Sequence, residues 1–251
     1  MHRTRRTGYH IAPETQFYLA GEFMNKNHSS RDVVVSIEWE FVPKPRPLGQ
    51  QQPGDLVLRS YDDFKHLTPV WLDIDGACQP HGSEVSLPAN ASTVKGRYEF
   101  SMEPAWKVLG GGGEVVWGGF HMHDGAESIR VNRKKNGDGG EMVVVCKSEA
   151  RYGEWGVFVG TRDDGVTQQT HLSSMSFCDF KDEKDGGRQT RVEPGDEWSI
   201  TAVYDLAKHA AIGSEGEGGS GHHHVSGGGM DMGGSGLDPI MGVALLYVAM
   251  D

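Results

Sequence analysis

The chain has 251 residues, 35 acidic against 24 basic side chains and a formal net charge of -11. That balance excludes nonspecific nucleic-acid binding, which needs a basic face, and no run approaches the roughly 18 consecutive apolar residues of a membrane-spanning helix. With 37% hydrophobic residues, 24% charged residues and 36 glycines, it reads as a globular protein with loop-rich insertions. Cys78, Cys146 and Cys178 leave at least one thiol unpaired within the chain, and none forms a Cys-x-x-Cys pair of the zinc-knuckle or thioredoxin kind. The tripeptides Asn27-His28-Ser29 and Asn90-Ala91-Ser92 would accept glycans in a secreted protein. The start, Met1-His2-Arg3-Thr4-Arg5-Arg6, lacks an apolar signal core, so the alternatives are a secreted protein without its original leader or a cytoplasmic one.

In chain order, residues 1–16 are basic and polar and are expected to be a flexible segment. Residues 17–251 then read as one β-sandwich domain. Phe17 to Met24 and Val33 to Val42, joined by a polar connector, suggest an antiparallel pair ended by Pro43, Pro45 and Pro47. Val70 to Ile74 and Val94 to Met102 alternate as strands do. Gly110 to Gly113 lead into a strand that runs through His121 and His123. Asn136-Gly137-Asp138-Gly139-Gly140 marks a hairpin whose return strand includes Glu141 to Cys146. Gly156 to Gly160 is a brief apolar run, Leu172 to Cys178 alternates, and Trp198 to Asp205 alternates after the turn at Gly195-Asp196. Residues 213–236 are so rich in glycine that they are expected to be a flexible insertion carrying His222, His223, His224, Met230 and Met232. Ile240 to Met250 is the most apolar run and reads as a central strand. Many short strands, frequent turns and no long amphipathic helix predict an all-β antiparallel sandwich, jelly-roll-like.

The chemistry concentrates at Gly118-Gly119-Phe120-His121-Met122-His123-Asp124-Gly125. Residues two apart on a strand share a face, so His121 and His123 present two imidazoles together while Phe120, Met122 and Asp124 point the other way. Two imidazoles suit Cu, Zn or Ni, but they are half a site and need further ligands. The plain alternative is a chance pair among twelve histidines. His171 and His209 are further nitrogen candidates, or ordinary surface histidines. Asp124 is placed either to orient an imidazole or to shape the turn with Gly125. No Ser-His-Asp order, phosphate-cradling glycine motif or paired-carboxylate constellation competes with the histidines.

Several motifs recur in an order that resembles the stress up-regulated nodulin-like family. They are Pro69 to Asp73 ahead of Cys78, Gly119 to Ala126, Cys146 followed by Tyr152-Gly153, Met175 to Cys178, Gly195-Asp196 and Met241 to Ala249. The resemblance covers roughly residues 16–251. That family is similar in turn to the second, methionine-copper domain of the copper type II ascorbate-dependent monooxygenases, such as the peptidylglycine alpha-hydroxylating enzyme. The resemblance implies one copper ion held by His121, His123 and Met241, with O2 or a small molecule as its partner. It also carries Cys146 and Cys178 as a disulfide, and both cysteines end apolar strands. Read by itself, Met241 is a core methionine of an apolar run. The chain departs from the monooxygenases in that the segment before the histidine strand is too short for their preceding copper domain and contains no His-His pair. It departs from the nodulin-like pattern in having Phe120 where glycine is usual. The resemblance therefore implies a secreted copper-binding sandwich. The alternatives are a metal-free extracellular interaction or stress-response module, and a monooxygenase that needs a partner domain.

Overall fold

A computed structural model of the chain describes residues 7–18, 32, 34–38, 64–75, 85–91, 93–137, 139–153, 159–161, 168–170, 172–178, 180–182, 188–209, 211 and 239–251. Cys78, His171 and the glycine-rich tract 213–236 lie outside the described residues. The strands are β1 (Thr7–Gly8), β2 (Lys65–Asp73), β3 (Arg97–Ser101), β4 (Trp106–Lys107), β5 (Gly113–Met122), β6 (Ala126–Lys134), β7 (Val143–Tyr152) and β8 (Val159–Thr161). They continue with β9 (Gln168–Thr170), β10 (Leu172–Met175), β11 (Lys181–Asp182), β12 (Arg188–Gln189), β13 (Arg191–Val192), β14 (Glu197–Asp205) and β15 (Gly242–Met250). Among the described residues there is no helix, so none is long and apolar enough to cross a membrane.

The chain divides into two units, 1–67 and 68–251. In the first unit β1 pairs in parallel with Lys65 and His66. The described parts of the expected N-terminal pair, residues 17–18 and 34–38, belong to no strand. Val34, Val35 and Ile37 are exposed there. β-Branched residues favour strands because they pack on a pleated, half-buried surface, and these are exposed.

The second unit is an all-β sandwich of two sheets. One has the order β2-β15-β5-β13 and the other β10-β7-β6-β14-β3, with β4 also on β14. The chain passes between the sheets repeatedly: β2 to β3, β4 to β5, β5 to β6, β10 to β13, β13 to β14 and β14 to β15. That wrapping is the jelly-roll character the turns suggested. The hairpin at Asn136-Gly137 joins β6 to β7 in antiparallel register, and β15 is the expected central strand, between β2 and β5. Its apolar run supplies Ala244, Leu246 and Val248 to the core. From β14 come Trp198, Ile200, Ala202 and Tyr204. β14 is buried on both faces, although its sequence alternates. Outside the core its Thr201 hydroxyl bonds Ser101 Oγ at 2.9 Å and accepts from Asn132 Nδ2 at 3.1 Å. Polar neighbours on β3 and β6 thus cover the outer side of the strand. The Cys146–Cys178 disulfide is formed, with its Cα atoms 5.8 Å apart, and pins β7 to the segment after β10.

Candidate metal centre

Along β5 the faces alternate as the strand period requires. Met122 is buried and Phe120 packs on the core, while His121 is exposed on the outer face of the sheet. His123 follows two residues later, half-buried. The two imidazole centroids lie 5.4 Å apart with their planes nearly perpendicular, at 89°.

The antiparallel register sets Val243 opposite His121 and Gly242 opposite Met122. The ladder ends at that pair, and His123 and Met241 are the next residues beyond it on the two chains. Continued one residue past the strand, the alternation of β15 would put Met241 on the histidine side of the sheet rather than the core side. Gly242 lets this happen. A Cβ there would meet Ala202 Cβ at 2.7 Å and Ile74 Cγ2 at 2.9 Å, so any larger residue would push the start of β15 off the sandwich.

Two ties hold the candidate ligands. His123 Nδ1 lies 2.8 Å from the Pro239 carbonyl oxygen. A carbonyl only accepts, so Nδ1 carries the proton and donates, and Nε2 keeps its lone pair for a cation. The Tyr204 hydroxyl accepts from the His123 backbone N–H at 3.1 Å and donates to the Met241 carbonyl at 2.6 Å. Burial pushes that hydroxyl well above the usual tyrosine range, so it stays protonated and able to donate. The His121 imidazole is lowered, first by burial against the sheet and then by the neighbouring His123, although the residue as a whole is exposed. The lowered His121 ring is therefore neutral near pH 7, the state a metal ion requires. Neither Tyr204 nor Pro239 stood out in the sequence. Tyr204 sits at an inward position of an alternating strand, which reads as core, and a backbone carbonyl carries no residue signature.

The other candidates have separate surroundings. Asp124 Oδ1 accepts the Leu172 backbone N–H at 2.6 Å, which ties the β5–β6 turn to the start of β10. His209 stacks on Tyr152 with centroids 3.9 Å apart and planes within 8°, and its backbone N–H donates to Asp205. Its imidazole is lowered, mainly by burial. Among the described residues no three His, Cys, Asp or Glu gather into a metal-holding cluster, so His209 does not extend the pair. Two imidazoles suit copper, and a thioether added to them would make a soft set that fits Cu(I) better than a hard cation.

The chain is 29% identical over 244 residues, 97% of its length, to a probable copper-dependent oxygenase M1 of Phoma sp.. It is 28% identical over the same share of its length to a probable copper-dependent oxygenase clz3 of Cochliobolus lunatus. It covers 46% of the first and 57% of the second, so it spans about half the length of the curated relatives it matches. No family model and no solved structure matches. The relationship these matches support is to copper-dependent oxygenases, and they do not single out the nodulin-like family.

Proposed function

We propose that this protein holds one copper ion through His121, His123 and Met241 and serves copper-dependent oxidation of a small organic molecule by O2. The observation that carries the reading is the Tyr204 hydroxyl, bonded to the backbones of both His123 and Met241 just past the end of the β5–β15 ladder. Copper in such a site supplies one-electron exchange and reactivity toward O2. The chain's own part is positioning. Pro239 fixes the His123 ring with Nε2 free, His121 stays neutral beside it, and Tyr204 sets the spacing between the histidine and methionine segments. The Cys146–Cys178 disulfide supports a place outside the reducing cytosol. A single copper ion exchanges one electron at a time, so we assign the supply of further electrons to a reductant or a partner domain.

The test is titration with Cu(I) and Cu(II) of the full chain and of a variant with His222, His223 and His224 changed to alanine. One Cu(I) should bind tightly in both. His121→Ala, His123→Ala and Met241→Ala should each weaken it by about a hundredfold or more, beyond the loss seen when only a supporting partner is removed. Copper binding indifferent to all three changes would sink the site and leave the metal-free interaction module as the reading.

A further inference from the structure

The outward positions of β5 do not stop at the histidines. Going back two residues at a time from His121 come Gly119 and Trp117, and opposite them on β15 stand Leu245 and Tyr247. Trp117 is 45% exposed, and its ring lies 5.5 Å from that of Tyr247. The indole does not point straight out. A Cβ on Gly119 would meet Trp117 Cη2 at 2.7 Å and Cζ3 at 3.0 Å, so the benzo edge of the ring lies over Gly119, on the side toward His121. On β2 the outward Trp71 is also 45% exposed, while its neighbour Leu72 is buried. The bond from Ile74 N–H to the Gly242 carbonyl brings the end of β2 to the start of β15, so this strand runs along the same face.

The charge pattern narrows what such a face accepts. Residues 69–73, 117–123 and 241–247 contain no Lys, Arg or Glu, and their one acid, Asp73, is buried. A charged ligand finds no counter-charge there. A flat, uncharged one finds an indole laid over Gly119, on the same face of the strand as His121.

We infer that Trp117, seated over Gly119, is the platform on which the organic substrate lies while it faces the His121–His123 pair, and that the substrate class is an uncharged molecule with a flat apolar portion. The inference rests on the copper reading for what the platform presents the substrate to, but the platform itself needs no metal. Gly119 acts as a positioning residue by keeping the indole down, and Trp117 sets specificity by its area.

The probe is 2-naphthol, with 2-naphthalenesulfonate as a charged control of the same shape. Binding to the full chain and to each variant is followed by titration with the line broadening of the probe's own proton resonances as the readout, and again with Cu(II) added, when relaxation of those protons reports nearness to the metal. The neutral probe should bind and the sulfonate bind more weakly. Trp117→Ala and Gly119→Ala should each weaken the neutral probe by about tenfold, on the scale of one lost aromatic stack, while Trp117→Phe keeps most of it. Copper affinity should be unchanged in Trp117→Ala, and its thermal unfolding should match the parent. Cu(II) should broaden the bound probe's signals. Equal binding of 2-naphthol to Trp117→Ala would overturn the proposal, as would absence of Cu(II) broadening in a chain that binds copper. Probe binding that depends on Trp117 in a chain that binds no copper would overturn the copper reading and keep the platform.

Discussion

The two ends of β14 each bury a polar group, and they use it differently. At the start, Asp196 is 1% exposed. Its Oδ2 takes Arg133 Nε at 2.8 Å and Nη2 at 2.7 Å, and Oδ1 takes the Asn136 N–H at 2.9 Å. The Glu193 N–H adds a contact at 3.1 Å, and the Arg133 guanidinium lies 5.7 Å from the centre of the Trp198 ring. Gly195, at φ +86°, makes the turn that delivers the carboxylate. The hub ties the turn before β14 to the end of β6 and to the turn that follows it. At the other end Tyr204 is neutral, and its two partners are the backbones of the residues that carry the candidate ligands. A buried polar tie is therefore no sign of function by itself. What matters is which side chains hang from the segments it joins.

Asp196→Ala is expected to have the largest effect on stability. It strands the Arg133 charge in the interior, at a cost of about 3–5 kcal/mol read by chemical or thermal unfolding. Copper bound per folded molecule should not change. Tyr204→Phe should cost less, about 1–3 kcal/mol, for the His123 N–H and Met241 carbonyl left without their partner. It should also lower Cu(I) affinity by roughly 10- to 100-fold, as loss of a supporting contact does at other metal sites. If Tyr204→Phe lost stability with no change in copper affinity, the two ends of β14 would be equivalent and the comparison would fail.

The smallest effect belongs to the outer face of the second sheet. There Arg97 bonds Glu127 at 2.9 Å, Lys208 bonds it at 2.8 Å, and Arg130 pairs with Glu99 at 2.7 Å. Hydrogen bonds from Lys208 and then Arg97 hold the Glu127 carboxyl down from its ordinary value near 4.5 to about 2. A lowered carboxyl contributes stability above its unfolded value and loses it as pH falls toward the folded one. Glu127→Gln should therefore flatten the acid limb of stability between about pH 4.5 and 2, by no more than about 1 kcal/mol, because the pair is solvent-screened. Salt should shrink the difference.

Local pattern made much of the sandwich readable. Trp71-Leu72, Trp198 to Asp205 and Ile240 to Met250 declare themselves by alternation or by an apolar run, and Asn136-Gly137 declares its hairpin. The Cys146–Cys178 bridge followed from the inherited motif order. What escaped is non-local. The Tyr204 hydroxyl reaches segments 81 and 37 residues away, and nothing in its neighbours says so. Asp196 looked like turn chemistry, and its 63-residue reach to Arg133 showed only in the fold. Spacing leaves His209 open as a nitrogen donor or a surface histidine; its ring lies flat on Tyr152, a contact between strand and turn that spacing cannot encode. Val34 to Glu38 misled in the opposite direction, because β propensity without a surface to pack on makes no strand.

The central position of β15 has a kinetic side. It follows β14 only after residues 206–241, then fills the slot between β2 and β5. Before it arrives, both neighbours present open edges, and His121 and His123 face an empty lane. Such long-range closure is slow compared with the β6–β7 hairpin, and open edges invite pairing with other chains. The half-formed sheet would thus be the aggregation-prone species on the folding route, and the same late strand that seals it brings Met241 beside the histidines.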